Sequence, residues 1–198
     1  MIARSLLAIA VVFSSLAYAG VDPASSPCAE CHGADGVAAK SGIPHLNGQT
    51  LDYLEHAISQ FQAGSRPGSA LGHEPAGIDS ASVAELLKHY SASKAVRPKQ
   101  DRLDPKLVEK GEALYQNRCA DCHPDNGRES DKDAPLMAAQ DLDYLIKQGH
   151  HFMDGKRKYV TMMDKAFQGL SDTDFESVAQ FFASQDQQGA QKTKKRRR

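Results

Sequence analysis

The four cysteines of this chain sit in two near-identical strings, Cys28-Ala29-Glu30-Cys31-His32 and Cys119-Ala120-Asp121-Cys122-His123. Any fold must bring each pair of thiols, and the imidazole directly behind it, to one place. Positions i and i+3 lie side by side on a helical turn, so each string is a local unit. Three chemistries can use such a unit. Disulfides Cys28–Cys31 and Cys119–Cys122 suit an exported chain, but the βαβ pattern that surrounds a thioredoxin-like redox pair is missing. Zinc ribbons place two Cys-x-x-Cys pairs about 15–20 residues apart, whereas the second pair here starts 91 residues after the first. Neither chemistry explains a histidine directly after each pair. Covalent haem does, because the sulfurs can bond the two vinyl-derived carbons on one porphyrin edge while the next residue ligates iron. The strings thus predict two haem c groups, on Cys28 and Cys31 and on Cys119 and Cys122, with His32 and His123 as proximal ligands.

The spacing of the two strings extends along the chain. At the same offset Pro44 falls on Pro135, Gln49 on Gln140 and Tyr53-Leu54 on Tyr144-Leu145. Phe61, Gly64 and Arg66 fall on Phe152, Gly155 and Arg157. So many identities in one order mark a tandem duplication with one haem per half.

The opening residues have the three parts of an export signal. Arg4 supplies the charge, Leu6 to Phe13 an apolar run, and Ala17-Tyr18-Ala19 a cleavage site before Gly20. The run is short for a bilayer span. A signal peptide over 1–19, cleaved near Ala19–Gly20, implies a soluble periplasmic protein. The formal charge of −1 hides an asymmetry. Lys192 to Arg198 holds six cations; without them and Arg4, 17 basic residues face 25 acidic ones. An acidic body excludes nucleic acid as a partner. The basic tail, 187–198, suits docking on an acidic protein or an anionic membrane surface.

The rest reads as all-α. Asp104-Pro105 is a helix-opening pair, and Lys106 to Arg118 carries Leu107, Leu114 and Tyr115 on one face before delivering Cys119. A second helix is expected over Gln140–Phe152. Ser171-x-x-Asp174 resembles a capping box that opens a last helix through Phe175, Val178, Ala179 and Phe182. The first half ends similarly, with Asp79 or Ser80 as cap and Val83, Leu86, Leu87 and Tyr90 as its buried stripe. Its opening helix is curtailed by Pro23 and Pro27. This gives a first domain over 20–90, a charged linker over 91–103 containing Pro98, and a second domain over 104–186. Such small halves bury little surface. A porphyrin burying roughly 400 Å² of apolar area would add about 10 kcal/mol at ~25 cal/mol/Å².

The double C-x-x-C-H with its Pro, Gln, Tyr-Leu and F-x-x-G-x-R strings resembles the dihaem cytochromes of the cytochrome c4 group. It is also similar to the dihaem subunit of flavocytochrome c sulfide dehydrogenase, notably in the curtailed first helix and the charged segment from Asp154 to Phe175. The resemblance spans about residues 25–185. It implies a tandem repeat of two class I cytochrome c domains, one covalent haem each, packed about a pseudo-twofold axis. It further implies that a proline carbonyl, from Pro44 or Pro135, orients each proximal imidazole, and that a methionine is each iron's distal ligand.

In the second half Met162 and Met163 lie where that ligand belongs, and family spacing favours Met163 with Met162 as alternative. The first half departs from the pattern, because Leu71 and Gly72 occupy those places and neither side chain can ligate iron. The neighbouring His73 is the candidate distal ligand; His45, His56, His89 or an open position are the alternatives. Arg66 and Arg157 suit haem propionates. Tyr53 and Tyr144 read as core aromatics, and His150 and His151 as surface or propionate-edge residues.

The function expected is electron transfer between a redox protein partner, a flavoprotein dehydrogenase or an oxidase, and a terminal oxidase or soluble cytochrome. The alternative is an enzyme acting on peroxide or a sulfur compound at a first haem that lacks methionine. No triad, carboxylate pair or phosphate loop supports other chemistry, and no catalytic residue is assigned.

Overall fold

The computed structural model describes residues 21–68, 73, 78–158 and 161–187, and among them there are helices and turns but no strand. The export signal, Leu71 and Gly72, and the basic tail from 188 onward lie outside the described residues.

After a 3-10 turn over Pro23–Ser25, the first half comprises α1 (Ala29–His32), α2 (Leu51–Gln62) and α3 (Ser80–Ala92). The second comprises α4 (Pro105–Arg118), the short α5 (Pro124–Gly127), α6 (Leu142–Met153), α7 (Thr161–Phe167) and α8 (Asp172–Ser184). The caps explain most of these boundaries. Side-chain oxygens of Thr50 and Asp141 accept from the backbone N–H of Tyr53 and Tyr144, opening α2 and α6 at one repeat position. Asp79 caps α3 through Ser82 N, Asp104 caps α4 before Pro105, and Ser171 with Asp174 closes a capping box on α8. Asp141 takes the capping place, so α6 starts two residues later than its apolar pattern suggests. α3 continues to Ala92.

The second half is built around α4 crossing α8. Tyr115 stacks on Phe181 at 4.7 Å between ring centroids, and Leu145, Val178 and Phe182 complete a buried cluster. The crossing is close at Gly111, where a Cβ would overlap the Ser177 carbonyl. Gly149 on α6 likewise leaves room for the Phe175 ring. Among the described residues the first half has no counterpart of α4. Its cluster of Tyr53, Leu54, Ala57, Leu86, Leu87 and Tyr90 is covered by Val21 and Cys28 of the incoming chain.

The two halves meet through a buried polar seam. Gln49 donates to Leu136 O at 2.9 Å and accepts from Leu136 N at 2.8 Å. Gln140 donates to His45 O at 3.0 Å and accepts from His45 N at 2.7 Å. These two clamps fall on equivalent repeat positions, as expected about a pseudo-twofold axis. The linker does more than connect. Arg97, 3 % exposed, uses Nε and Nη2 on Asn47 and Nη1 on the carbonyls of Leu136 and Ala138. Burial lowers its pKa to about 9, so it remains a cation at neutral pH.

Candidate haem sites

Cys28 lies just before α1 and Cys119 just after α4, and in both strings the second thiol follows on the same turn. All four thiols are free and half-buried. Burial raises the pKa of Cys28, and raises that of Cys119 to about 11, so both stay protonated. His32 Nδ1 lies 2.9 Å from the carbonyl of Pro44, which fixes the tautomer with Nε2 free to ligate. Burial lowers the His32 pKa against the opposing pull of that carbonyl, which keeps the ring neutral, as a metal ligand must be. His123 is 9 % exposed and its pKa is lowered by burial too. Here the halves differ, because His123 Nδ1 has no hydrogen-bond partner among the described residues. The expected Pro135 contact is not made. Its backbone is held instead by Tyr115, whose hydroxyl donates to His123 O at 2.8 Å.

His73 stands across from His32, with 6.2 Å between ring centroids and a 50° tilt. Phe61 backs it, stacked at 4.1 Å and within 11° of parallel. Burial lowers the His73 pKa, and His73 Nδ1 is buried without a partner among the described residues. The other histidines of the first half are engaged elsewhere. His45 is buried beside Pro44, behind His32, with Nδ1 accepting from Ala38 N; burial lowers its pKa to about 4. His56 pairs with Gln60 on its own helix, and His89 bonds the Ala34 carbonyl. In the second half Met162 is 63 % exposed while Met163 is half-buried, both on α7. His151 is half-buried with Nδ1 unpartnered among the described residues, and His150 is half-buried beside it.

The F-x-x-G-x-R string has a local cause. Gly64 and Gly155 take positive φ, 66° and 68°, and end α2 and α6 by turning the chain back. This lays Arg66 over the Phe61 ring at 4.6 Å and Arg157 over Phe152 at 4.4 Å. Arg66, 4 % exposed, bonds the Tyr144 hydroxyl of the other half, and its Nε has no partner among the described residues. Tyr53 is buried in the same cluster, where the pull of Arg66 and Arg157 outweighs burial and lowers its pKa. A buried and a half-buried guanidinium beside tyrosines, with no ion-paired carboxylate among the described residues, suit an anion. The free thiol pairs, the neutral imidazoles and this cationic cluster together suit a porphyrin bearing carboxylates.

Residues 106–181 match the family of cytochrome c oxidase, cbb3-type, subunit III. Cytochrome c4 of Azotobacter vinelandii is 32 % identical over 174 residues, covering 76 % of this chain and 81 % of that protein. The chain belongs to the cytochrome c4 family. A solved structure of reduced recombinant cytochrome c4 from Pseudomonas stutzeri aligns with TM-score 0.67 and 27 % identity, over 80 % of this chain and 93 % of that one. The thiosulfate dehydrogenase electron acceptor of Stutzerimonas stutzeri strain A1501 is 27 % identical over 177 residues, covering 83 % of this chain and 82 % of that protein. As a cytochrome c4 relative the chain is a dihaem class I cytochrome c with two haem c groups, an electron-transfer cytochrome.

Sequence reasoning missed Asn47, Gln49, Arg97 and Gln140 as the seam between these cytochrome c4 halves. Gln49 and Gln140 were visible as a repeated identity, but what they bond is set by the other half. Arg97 gave no signal, since a linker arginine looks solvated until the fold encloses it.

Proposed function

We propose that this protein is a periplasmic electron carrier in which the two halves hold their haems with different ligands. The first half, 20–90, attaches its haem through Cys28 and Cys31 and supplies His32 and His73 as axial ligands. The second half, 104–186, uses Cys119 and Cys122, with His123 and Met163. Arg66 and Arg157 face the propionates. The leader is removed at Ala19–Gly20. No described helix is long and apolar enough to cross a membrane.

One observation carries the ligand assignment of the first half. An imidazole nitrogen sits about 2 Å from a ligated metal and about 1.2 Å from its own ring centre, so two imidazoles sharing one ion stand about 6.4 Å apart. His32 and His73 are 6.2 Å apart. For the second half, the exposure of Met162 supports Met163.

When bound, each haem supplies a one-electron iron couple whose potential follows its axial ligands. The Met163 thioether favours the ferrous state, whereas His73 nitrogen holds the first site lower. Electrons delivered to the first half are therefore drawn towards the second. The donor we favour is a dehydrogenase that oxidises a reduced sulfur compound, as the name of the Stutzerimonas relative indicates for that protein. The acceptor is a terminal oxidase or small cytochrome, and the tail from Lys192 to Arg198 docks on an acidic partner or anionic surface.

The test mixes the oxidised, haem-loaded full chain with thiosulfate and a thiosulfate dehydrogenase, and in parallel with sulfide and a flavoprotein sulfide dehydrogenase. Fast reduction in one arm, slowing as ionic strength rises, is expected. Reduction in neither arm beyond the rate without enzyme would remove sulfur dehydrogenases as donors.

A further inference from the structure

The His32 imidazole of the first half is wired through a single peptide group to a side chain of the second half. His32 Nδ1 donates to Pro44 O at 2.9 Å. That carbonyl belongs to the same amide as the N–H of His45, which donates to Gln140 Oε1 at 2.7 Å. Gln140 is held in place by the following peptide group as well, since its Nε2 donates to His45 O, and it is only 3 % exposed. The backbone that aims it is strained. Ala139 has φ 53°, while its repeat counterpart Gly48 has φ 70°. An alanine Cβ crowds its own backbone in this left-handed conformation, which glycine takes freely.

Hydrogen bonds that share one amide polarise each other. When Gln140 Oε1 accepts from His45 N–H, electron density moves onto Pro44 O, which then draws harder on the His32 Nδ1 proton. The far nitrogen of the imidazole becomes a stronger electron donor, the effect that outer-shell acceptors have on ligating histidines. We infer that Gln140, a residue of the second half, is a positioning residue for the first haem and lowers that haem's reduction potential across the domain seam.

The molecule contains its own control. Gln49 Oε1 accepts from Leu136 N–H, the amide shared with Pro135 O, in the mirror arrangement. But His123 Nδ1 makes no bond to Pro135, so the relay on that side stops one link short. The seam loses equivalent bonds in Gln49→Leu and Gln140→Leu, yet only the second interrupts a path to an imidazole.

The inference rests on His32 being the proximal ligand of the first haem. The experiment is a redox titration of haem-loaded wild type, Gln140→Leu and Gln49→Leu, with proton NMR of the axial imidazole ring protons. Gln140→Leu is expected to make reduction of the first haem about tenfold more favourable, about 59 mV for one electron, and to move the His32 Nδ1 proton upfield. The second haem should keep its potential, and Gln49→Leu should leave both potentials in place. Equal shifts at both haems in both variants, or no shift at the first haem in Gln140→Leu, would overturn the relay. If the His32 ring shows no hyperfine shift in the oxidised wild type, the ligand assignment itself falls, and the relay with it. Should Gln140→Leu fail to fold, Gln140→Asn shortens the side chain, withdraws the acceptor from His45, and is read against the same outcomes.

Discussion

Protein made without the haem-attachment machinery is expected to lose most of its helix. The first half keeps six buried apolar residues in its cluster and the second half seven. These clusters are separated by a seam of amides and guanidinium groups rather than joined in one core. Arg66, Arg97 and His45 are all buried at or beside that seam, and burying such groups costs several kcal/mol unless each is matched. The haems supply what these small clusters lack, about 10 kcal/mol each if roughly 400 Å² of apolar area is covered at ~25 cal/mol/Å². The proposed pairing of the haem propionates with Arg66 and Arg157 would add counter-charges to that cluster. Any helix that survives should come from α4 and α8, whose contact at Gly111 and Tyr115 involves protein alone. Far-UV circular dichroism measures this directly. Native-like helix content in the haem-free chain would show that the polypeptide folds without its cofactors.

The second large effect is expected from His73→Met. A thioether in place of the imidazole favours ferrous iron, so the lower of the two steps in a redox titration should move up towards the higher one. The expected change is at least tenfold in the reduction equilibrium, which is 59 mV for one electron. His73 is backed by the stacked Phe61 ring, and its Nδ1 has no hydrogen-bond partner among the described residues. Two unchanged steps would take His73 off iron. A shift of the upper step alone would place His73 at the wrong haem.

Much of this was legible in the sequence because it is local. The Cys-x-x-Cys-His strings, the capping box at Ser171 and the Asp104-Pro105 opening need only neighbours within one turn, and the structure has each of them. The repeat was legible as well, since α2 and α6 occupy equivalent positions and carry the same F-x-x-G-x-R ending. What the residues alone did not disclose depends on the second half being where it is. Gln49 and Gln140 could be matched as identities, yet their partners lie 87 and 95 residues away. Arg97 sits in a stretch with Pro98 and several charges, and only the enclosure of its guanidinium by carbonyls of both halves makes it structural. The unequal footing of His32 and His123 was hidden for the same reason. Both are preceded by the same motif and followed by a proline at the same distance, but only one reaches that proline's carbonyl.

The two haems of this duplicated scaffold are expected to be ligated differently. The most direct test is low-temperature electron paramagnetic resonance of the fully oxidised protein, joined to near-infrared magnetic circular dichroism to read each ligand pair. One low-spin iron with two imidazoles and one with imidazole and thioether, in equal amounts, is the result expected from His32 with His73 and His123 with Met163. A high-spin iron in half the sites, or two irons with the same ligand pair, would contradict it.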